Sequence, residues 1–510
     1  MKNYYITTPI YYVNDKPHIG HAYTSLACDV TARFKRLDGF NVKFLTGTDE
    51  HGQKVEKSAI AKGVSPQDFT DMVSQNFRDL TKVMNFSNDD FIRTTEERHK
   101  TACQALWNKL VENGHIYLDK YSGWYSVRDE AYYGEEELIE KDGQKIAPTG
   151  AEVEWVEEES YFFDLSKWED KLLKLYDDNP NFIAPKSRRN EVISFVKGGL
   201  RDLSVSRTTF GWGVPVPNNE KHIMYVWIDA LTNYMTAVGY PDTDSKEYQD
   251  FWGADLHMVG KDIIRFHTVY WPALLMAAEL PLPKRIFAHG WWTNEGEKIS
   301  KSLGNVIDPV ELVDEYGLDA TRYFLMREVT FGNDGDFSKL AMVSRTNSDL
   351  ANDIGNFCQR TLSMVFKNCE GVLPNADLND DDKKIINNAK ESLNIARTHI
   401  DKQEFNKALE AIWNIIGDAN KYVDDNAPWA LKTTDVARMG TVLYTCAELA
   451  RIFGLILQPF MPESANKILD LVSVPSDKRT FANIDDTLES GINIDKPEVV
   501  FPRYVEETNE

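Results

Sequence analysis

The chain has 510 residues, 42% of them hydrophobic and 12% aromatic, which suffices for sizeable cores and is too long for one; about three domains are expected. Lys and Arg number 57 against 80 Asp and Glu, a formal net charge of −23, so a nucleic-acid surface would need basic residues gathered locally, because phosphate contacts require them. No apolar run of 18 or more predicts a membrane span, the N-terminus has no signal-peptide or transit character, and five scattered cysteines without a C-x-x-C pair suit a reducing cytoplasm and offer no zinc site.

The first predicted element is a β-prone run over residues 4–8, ending in Pro9-Ile10-Tyr11-Tyr12-Val13-Asn14. Asn14 or Asp15 can cap a helix with Pro17 in its first turn, and Ala22, Leu26, Val30 and Phe34 recur at helical spacing until Gly39 stops it. Residues 41–45 read as a second strand, ending in Thr46-Gly47-Thr48-Asp49-Glu50-His51-Gly52; strand, helix, strand predicts a right-handed parallel βαβ unit. Thr94-Thr95-Glu96-Glu97 reads as a capping box, opening a helix through Cys103, Leu106 and Leu110 to Asn113-Gly114. From 115 to about 207 the chain turns rich in Trp, Tyr, Glu and Gly with short β-like pieces, which predicts an insertion. β-prone runs return at 224–227, 257–260 and 285–290. From about residue 345 the pattern is helical: Phe405, Leu409, Ile412 and Ile416 share a face, and 442–457 is a long apolar helix ended by Gln458-Pro459. The charged tail from Glu498 is expected to be loosely held.

In open parallel sheets, ligands bind where strands end at their carboxyl edge. Polar residues gather at those places: Tyr12, His18 and His21 after the first strand, Asp49 and His51 after the second, Lys261 and His267 after a later one. Any one of these histidines reads first as a satisfied structural residue; clusters after successive strands argue for a site. His18 and His21, in His18-Ile19-Gly20-His21, lie three apart at a predicted helix N-terminus, where ring donors and the positive end of the helix dipole can hold a triphosphate. Neither G-x-x-x-x-G-K-[ST] nor G-x-G-x-x-G occurs, so a P-loop kinase or nicotinamide enzyme is not supported. Lys298 and Lys301, in Lys298-Ile299-Ser300-Lys301-Ser302, are flanked by Gly296 and Gly304. Alone, the string is an exposed charged turn; with the histidines upstream, it reads as a mobile loop whose ammonium groups stabilise charge growing on departing pyrophosphate. Other basic clusters are Lys186-Ser187-Arg188-Arg189, Lys261 with Arg265, and Lys284-Arg285.

The histidine and lysine strings, in this order, resemble the two signature motifs of class I aminoacyl-tRNA synthetases. Four further segments (9–14, 47–52, 225–235 and 260–267) resemble those of methionyl-tRNA synthetases, and the resemblance runs from the first strand to about residue 465. It implies an α/β fold: a Rossmann-like parallel-sheet catalytic domain with a connective insertion, followed by an all-α anticodon-binding domain. The implied division is 1–114 and 208–295 for the catalytic halves, 115–207 for the insertion, 296–345 for a lysine-loop and stem-contact linker, and 346–510 for the helical domain. The implied activity joins methionine to its tRNA through a methionyl-adenylate, with ATP and Mg2+ as substrate. By the resemblance, His18, His21, Lys298 and Lys301 are catalytic, and Ser300 joins them in binding ATP. Ile10, Tyr12, Asp49, Trp227, Ala230, Tyr234, Ile263 and His267 form the methionine site. A thioether must be selected by shape and soft sulfur–aromatic contact, with weak donors from Tyr12 and His267. Asp49 is the counter-ion of the substrate ammonium, steadied by Arg207, while Asn356, Arg360 and Trp429 read the anticodon, Trp429 by stacking on an unpaired base.

Two departures from the family pattern stand out. Many relatives carry zinc knuckles in the insertion, but here Ser126, Asp129, Ala147 and Gly150 fall where cysteines would lie, so no structural zinc is expected. Packing through Trp124, Trp155, Tyr161 and Phe162 is expected instead. The chain also ends soon after the helical domain, without the dimerisation module of some relatives, so a monomer is expected. Expected partners are methionine, ATP, and initiator and elongator methionine tRNA, with no membrane, in the cytoplasm. Two alternatives are another class I synthetase for an apolar amino acid, and a non-catalytic tRNA-binding relative.

Overall fold

The structure, a computed structural model, describes residues 2–13, 16–141, 143–299 and 304–506, and for Tyr121, Glu158 and Lys298 the backbone alone. The central sheet has seven strands, and its pairings are parallel. Its order is Ile183–Ala184, Ile286–His289, Leu256–Gly260, Asn3–Thr7, Asn41–Asp49 and Tyr11–Tyr12, with Asp90–Arg93 on the other side of Asn41–Asp49. Asn41–Asp49 is buried almost along its whole length, as a strand covered on both faces must be.

The helix Ile19–Leu37 follows the first strand and ends before Gly39 at φ 83°, as its apolar spacing predicts. Its cap differs from expectation. His18 is the N-cap, and Asn14 and Asp15 lie outside the described residues. The capping box expected at 94–97 does not form either: Glu96 is the N-cap of Glu97–Glu112 and makes no side-chain cap. Thr94 Oγ1 instead accepts the Glu50 N–H at 2.9 Å, and Thr95 Oγ1 donates to Glu50 Oε2 at 2.5 Å, so both threonines brace the turn after Asn41–Asp49. The run 224–227 is a strand only at Ile223–Met224; Val226–Thr236 is a helix. The β preference of Tyr-Val-Trp yields there to the helical spacing of Ile228, Leu231 and Met235, all buried in one core.

The insertion is built on an antiparallel sheet in the order Leu203–Ser204, Glu154–Phe163, Ile116–Ser126 and Ala131–Tyr133. The C-terminal bundle includes Asn356–Asn368, Asp380–Ile400, Phe405–Asn426, Pro428–Thr434 and Val436–Leu457. Val436–Leu457 is 22 residues long, and an 18-residue window of it has a mean hydropathy of 1.4, enough by length and composition alone to cross a membrane; that window is wholly buried inside the protein, as a core helix is, while Val436 at its start is exposed. One core cluster joins the first helix to this bundle. At their junction the Arg322 side chain is fully buried and donates to Asp29 Oδ2 (2.7 Å), Met84 O (3.0 Å), Pro459 O (2.9 Å) and Phe460 O (2.9 Å). As far as residue 506, the tail is held more firmly than its charge predicts: Val500 and Phe501 are buried, Tyr504 N–H donates to Asn347 Oδ1 (2.8 Å), and Tyr504 OH donates to Glu315 Oε1 (3.0 Å).

Candidate active site

A cavity of about 680 Å³ opens at the carboxyl edge of the central strands. His18 and His21 lie at its wall and cap their own helix. His18 Nδ1 accepts the Gly20 N–H at 3.0 Å, and His21 Nδ1 accepts the His18 N–H at 3.1 Å. An imidazole nitrogen that accepts carries no proton, so both neutral rings carry their N–H on Nε2. The rings lie 3.9 Å apart, and His21 is held edge-on by Tyr11 and Phe77. Gly20 is required by this geometry: a Cβ there would fall 2.9 Å from His18 Cε1.

Asp49 closes the strand Asn41–Asp49 and is 7% exposed. Burial, and then repulsion from Asp229, Glu130 and Glu50, holds its carboxyl well above the ordinary range, against one backbone hydrogen bond from His51. Among the described residues, Asp49 Oδ1 and Trp227 Nε1 are buried without hydrogen-bond partners. Asp229 is anchored oppositely: it accepts from His51 Nδ1 (2.6 Å) and His99 Nε2 (2.7 Å), and these histidines hold its pKa below the usual range against the opposing effect of its own burial.

Ile10, Tyr12, Asp49, Trp227 and Ile263 share the cavity wall with His18 and His21. Ala230, Tyr234 and His267 are buried and do not line it. Trp227 stacks on Phe266 at 3.7 Å and 5°, and meets the His267 ring edge-on at 6.0 Å. His267 donates from Nδ1 to Ile263 O (3.0 Å), and its Nε2 accepts the Tyr234 hydroxyl (2.7 Å). Burial lowers its pKa to about 4, so the ring is neutral with both nitrogens engaged, and it has no N–H left for a sulfur atom. Arg207 packs over the rings of Tyr125, Tyr132 and Tyr225, and its described hydrogen bonds go to Ser204 and Ser206, not to Asp49.

Ser300 and Lys301 lie outside the described residues, as does the Lys298 side chain; Ile299 and Val306, on either side of them, line the cavity. The other basic clusters are largely ion-paired: Lys261 with Asp334, Arg265 with Glu137, Arg188 with Glu191 and Lys284 with Asp255.

The four knuckle positions carry no thiol and are joined by hydrogen bonds. Ser126 Oγ accepts the Asp129 N–H (3.2 Å), Gly150 N–H donates to Ala147 O (2.8 Å), and Arg128 Nη2 ties the two turns by donating to Thr149 O and Oγ1 at 2.9 Å. Among the described residues, the metal-capable group is His99, Cys103 and Asp229, buried and mutually hydrogen-bonded. Glu130 was not legible as a cavity residue. It lies in an acidic stretch of the insertion, and only the packing of the insertion against the main body, where the Tyr12 and Tyr225 hydroxyls reach it, brings it to the wall.

In the bundle, Asn356 is exposed one turn before Arg360. Arg360 reaches Asp424 Oδ1 (2.8 Å) and Asn420 Oδ1 (3.0 Å) on the helix leading into Trp429, which is 53% exposed.

A cavity of this size beside histidines that cap the first helix of a parallel sheet agrees with the class I aminoacyl-tRNA synthetases, and residues 4–362 match the family model described as tRNA synthetases class I (M). Residues 373–510 match the anticodon binding domain of methionyl tRNA ligase. The methionine–tRNA ligase of Rickettsia felis is 60% identical over 99% of both chains, and that of Brucella suis is 58% identical over 99% of this chain and 98% of its own. Mycobacterium tuberculosis methionyl-tRNA synthetase in complex with methionyl-adenylate superposes with a TM-score of 0.97 at 53% identity, covering 99% of this chain and 100% of that one; its free form gives 0.89 at 50% identity, covering 99% of each. The chain belongs to the methionyl-tRNA synthetase family and joins methionine to tRNA.

Proposed function

We propose that this cavity carries out both halves of the reaction. The methionine carboxylate attacks the α-phosphate of ATP, giving methionyl-adenylate and pyrophosphate. A hydroxyl of the terminal tRNA ribose then attacks the carbonyl and releases AMP. The observation that carries this reading is Asp49 Oδ1, a buried acceptor without a partner on the wall that also holds His18 and His21. An ammonium there satisfies a carboxylate that is otherwise costly to bury, and the two Nε2–H groups beside it suit phosphate oxygens. No side chain acts as a covalent nucleophile; catalysis is positioning plus stabilisation of the phosphate charge, with Lys298, Ser300 and Lys301 contributing from their loop. Magnesium arrives with ATP as part of the substrate. Trp227, Ile10, Ile263 and Tyr12 bound the thioether, backed by Ala230, Tyr234 and His267. Asn356, Arg360 and Trp429 read the anticodon of initiator and elongator methionine tRNA.

The insertion holds its shape without zinc, through the Ser126, Arg128, Asp129 and Thr149 cluster and the Trp124–Trp155 ring contact at 5.3 Å. The protein works as a monomer in the cytoplasm, away from membranes, with its domains divided at 114, 207, 295 and 345. Exchange of labelled pyrophosphate into ATP, run across amino acids, tests the reading: methionine alone should drive it, and equal exchange with another apolar amino acid would refute it. Lys301→Ala should slow that exchange at least tenfold at saturating substrate, roughly the weight of one charge contact in the transition state, and leave methionine KM little changed. Elemental analysis should find no stoichiometric zinc; one tightly bound ion per chain would overturn the zinc-free reading.

A further inference from the structure

We propose that Glu130, carried by the insertion, is a positioning residue for methionine: its carboxylate holds the Tyr12 hydroxyl and so fixes the pocket wall beside Asp49. This rests on the reading of the cavity as the methionine site.

Glu130 is 6% exposed and sits in the left-handed region at φ 47°, a conformation uncommon for a side-chain-bearing residue. Its backbone carbonyl accepts the Tyr225 hydroxyl at 2.8 Å. Its carboxylate accepts the Tyr12 hydroxyl at 3.3 Å and, by a shorter bond, the Tyr125 hydroxyl. Gly52 lets the first of these bonds form, since a Cβ at 52 would lie 2.8 Å from Tyr12 Oη and 3.1 Å from Glu130 Oε1. Tyr12 is paired in strand register with Asp49, so whatever fixes Tyr12 also fixes the neighbour of the ammonium acceptor. Arg207, over the rings of Tyr125 and Tyr225, buttresses two of the tyrosines that hold Glu130.

Electrostatics argue that Glu130 is more than an anchor for the insertion. A buried carboxylate near Asp49 is unfavourable to both, and anchoring alone needs only the backbone carbonyl that Tyr225 already uses. A group retained at a cost beside a binding site marks a functional demand. Here the demand is an acceptor strong enough to hold a phenol in one place at the pocket rim.

The test is ATP–pyrophosphate exchange by the full chain, reading KM for methionine and ATP and kcat. Glu130→Ala should raise methionine KM about tenfold, the weight of a hydrogen bond to a charged group, with ATP KM and kcat within about twofold of the parent. Glu130→Gln, whose amide oxygen still accepts the phenol, should recover to within about threefold, and Tyr12→Phe should match Glu130→Ala. The double variant should be no worse than either single one, because both remove one contact. Additive losses overturn the proposal. So does Glu130→Gln as impaired as Glu130→Ala, which would mean that the charge acts on substrate directly. If Glu130→Ala folds poorly, Tyr12→Phe removes the same bond from the other side, and an unchanged methionine KM there refutes it. Trp227→Ala separates the two readings. If it raises methionine KM while Glu130→Ala does not, the positioning role alone fails; if neither does, the cavity is not the methionine site and both are withdrawn.

Discussion

Asp49 shares its buried surroundings with Asp229, Glu130 and Glu50, and the imbalance has a consequence for binding. Asp229 accepts hydrogen bonds from two histidines, but Asp49 has one backbone N–H and an unpartnered oxygen. Its raised pKa means that, as pH falls, it takes up a proton earlier than an ordinary carboxylate, and the protonated form cannot pair with an ammonium. Methionine KM in the exchange reaction should therefore rise on acidification, with its inflection above the ordinary carboxylate pKa of about 4. Asp49→Asn should raise KM at least tenfold at neutral pH and abolish the inflection, given that a charged hydrogen bond is worth about 1.5–3 kcal/mol. A pH profile shared by parent and variant would assign the dependence to another group.

Among the elements, the helices of the bundle give the cleanest separation of functions. Trp429 is half exposed at the start of Pro428–Thr434, after Ala427 in the left-handed region, so its removal leaves no core cavity. Trp429→Ala should cut tRNA charging about ten- to hundredfold, the weight of one lost base stack, and leave tRNA-independent exchange intact. Equal loss in both assays would mark it as a folding residue, and undiminished charging would remove it from the anticodon surface. The same scale shows what a sequence can reveal. The first helix, the parallel strands, the Phe405–Asn426 face and the polar residues at the strand ends follow from period and position, which act locally. The cap of the first helix was misread because His18 and His21 cap by pairing with each other and with Gly20, a use of imidazole that the usual Ser, Thr, Asp and Asn preference does not anticipate. The threonines at 94 and 95 were misread because Glu50, far away in sequence, outcompetes their own helix. Glu130 gave no sign of its place on the cavity wall, since Tyr125 alone of its tyrosine partners is near in sequence and Tyr12 and Tyr225 belong to the main body of the fold.

At the scale of the molecule, Arg322 ties the helix that carries His18 and His21 to the end of Val436–Leu457 through Asp29, Pro459 and Phe460. Asp29 is also held by Arg33 and by Ser87, and these partners keep its pKa below the ordinary range despite its burial. Arg322→Ala leaves that carboxylate buried with less charge opposite it and should cost about 3–5 kcal/mol, read as a lower melting temperature in calorimetry. An unchanged melt would show that the junction does not bear on stability. The net charge of −23 and the ion pairs of Arg188, Lys261, Arg265 and Lys284 work against broad electrostatic attraction for tRNA. In the proposed function, the cavity at the sheet edge holds methionine with its ammonium on Asp49. A structure of the protein with a non-hydrolysable methionyl-adenylate analogue tests it most directly. The amino group should be hydrogen-bonded to Asp49 Oδ1, the thioether against Trp227, and the phosphate beside His18 and His21; an analogue bound with Asp49 Oδ1 still unpartnered would contradict that placement.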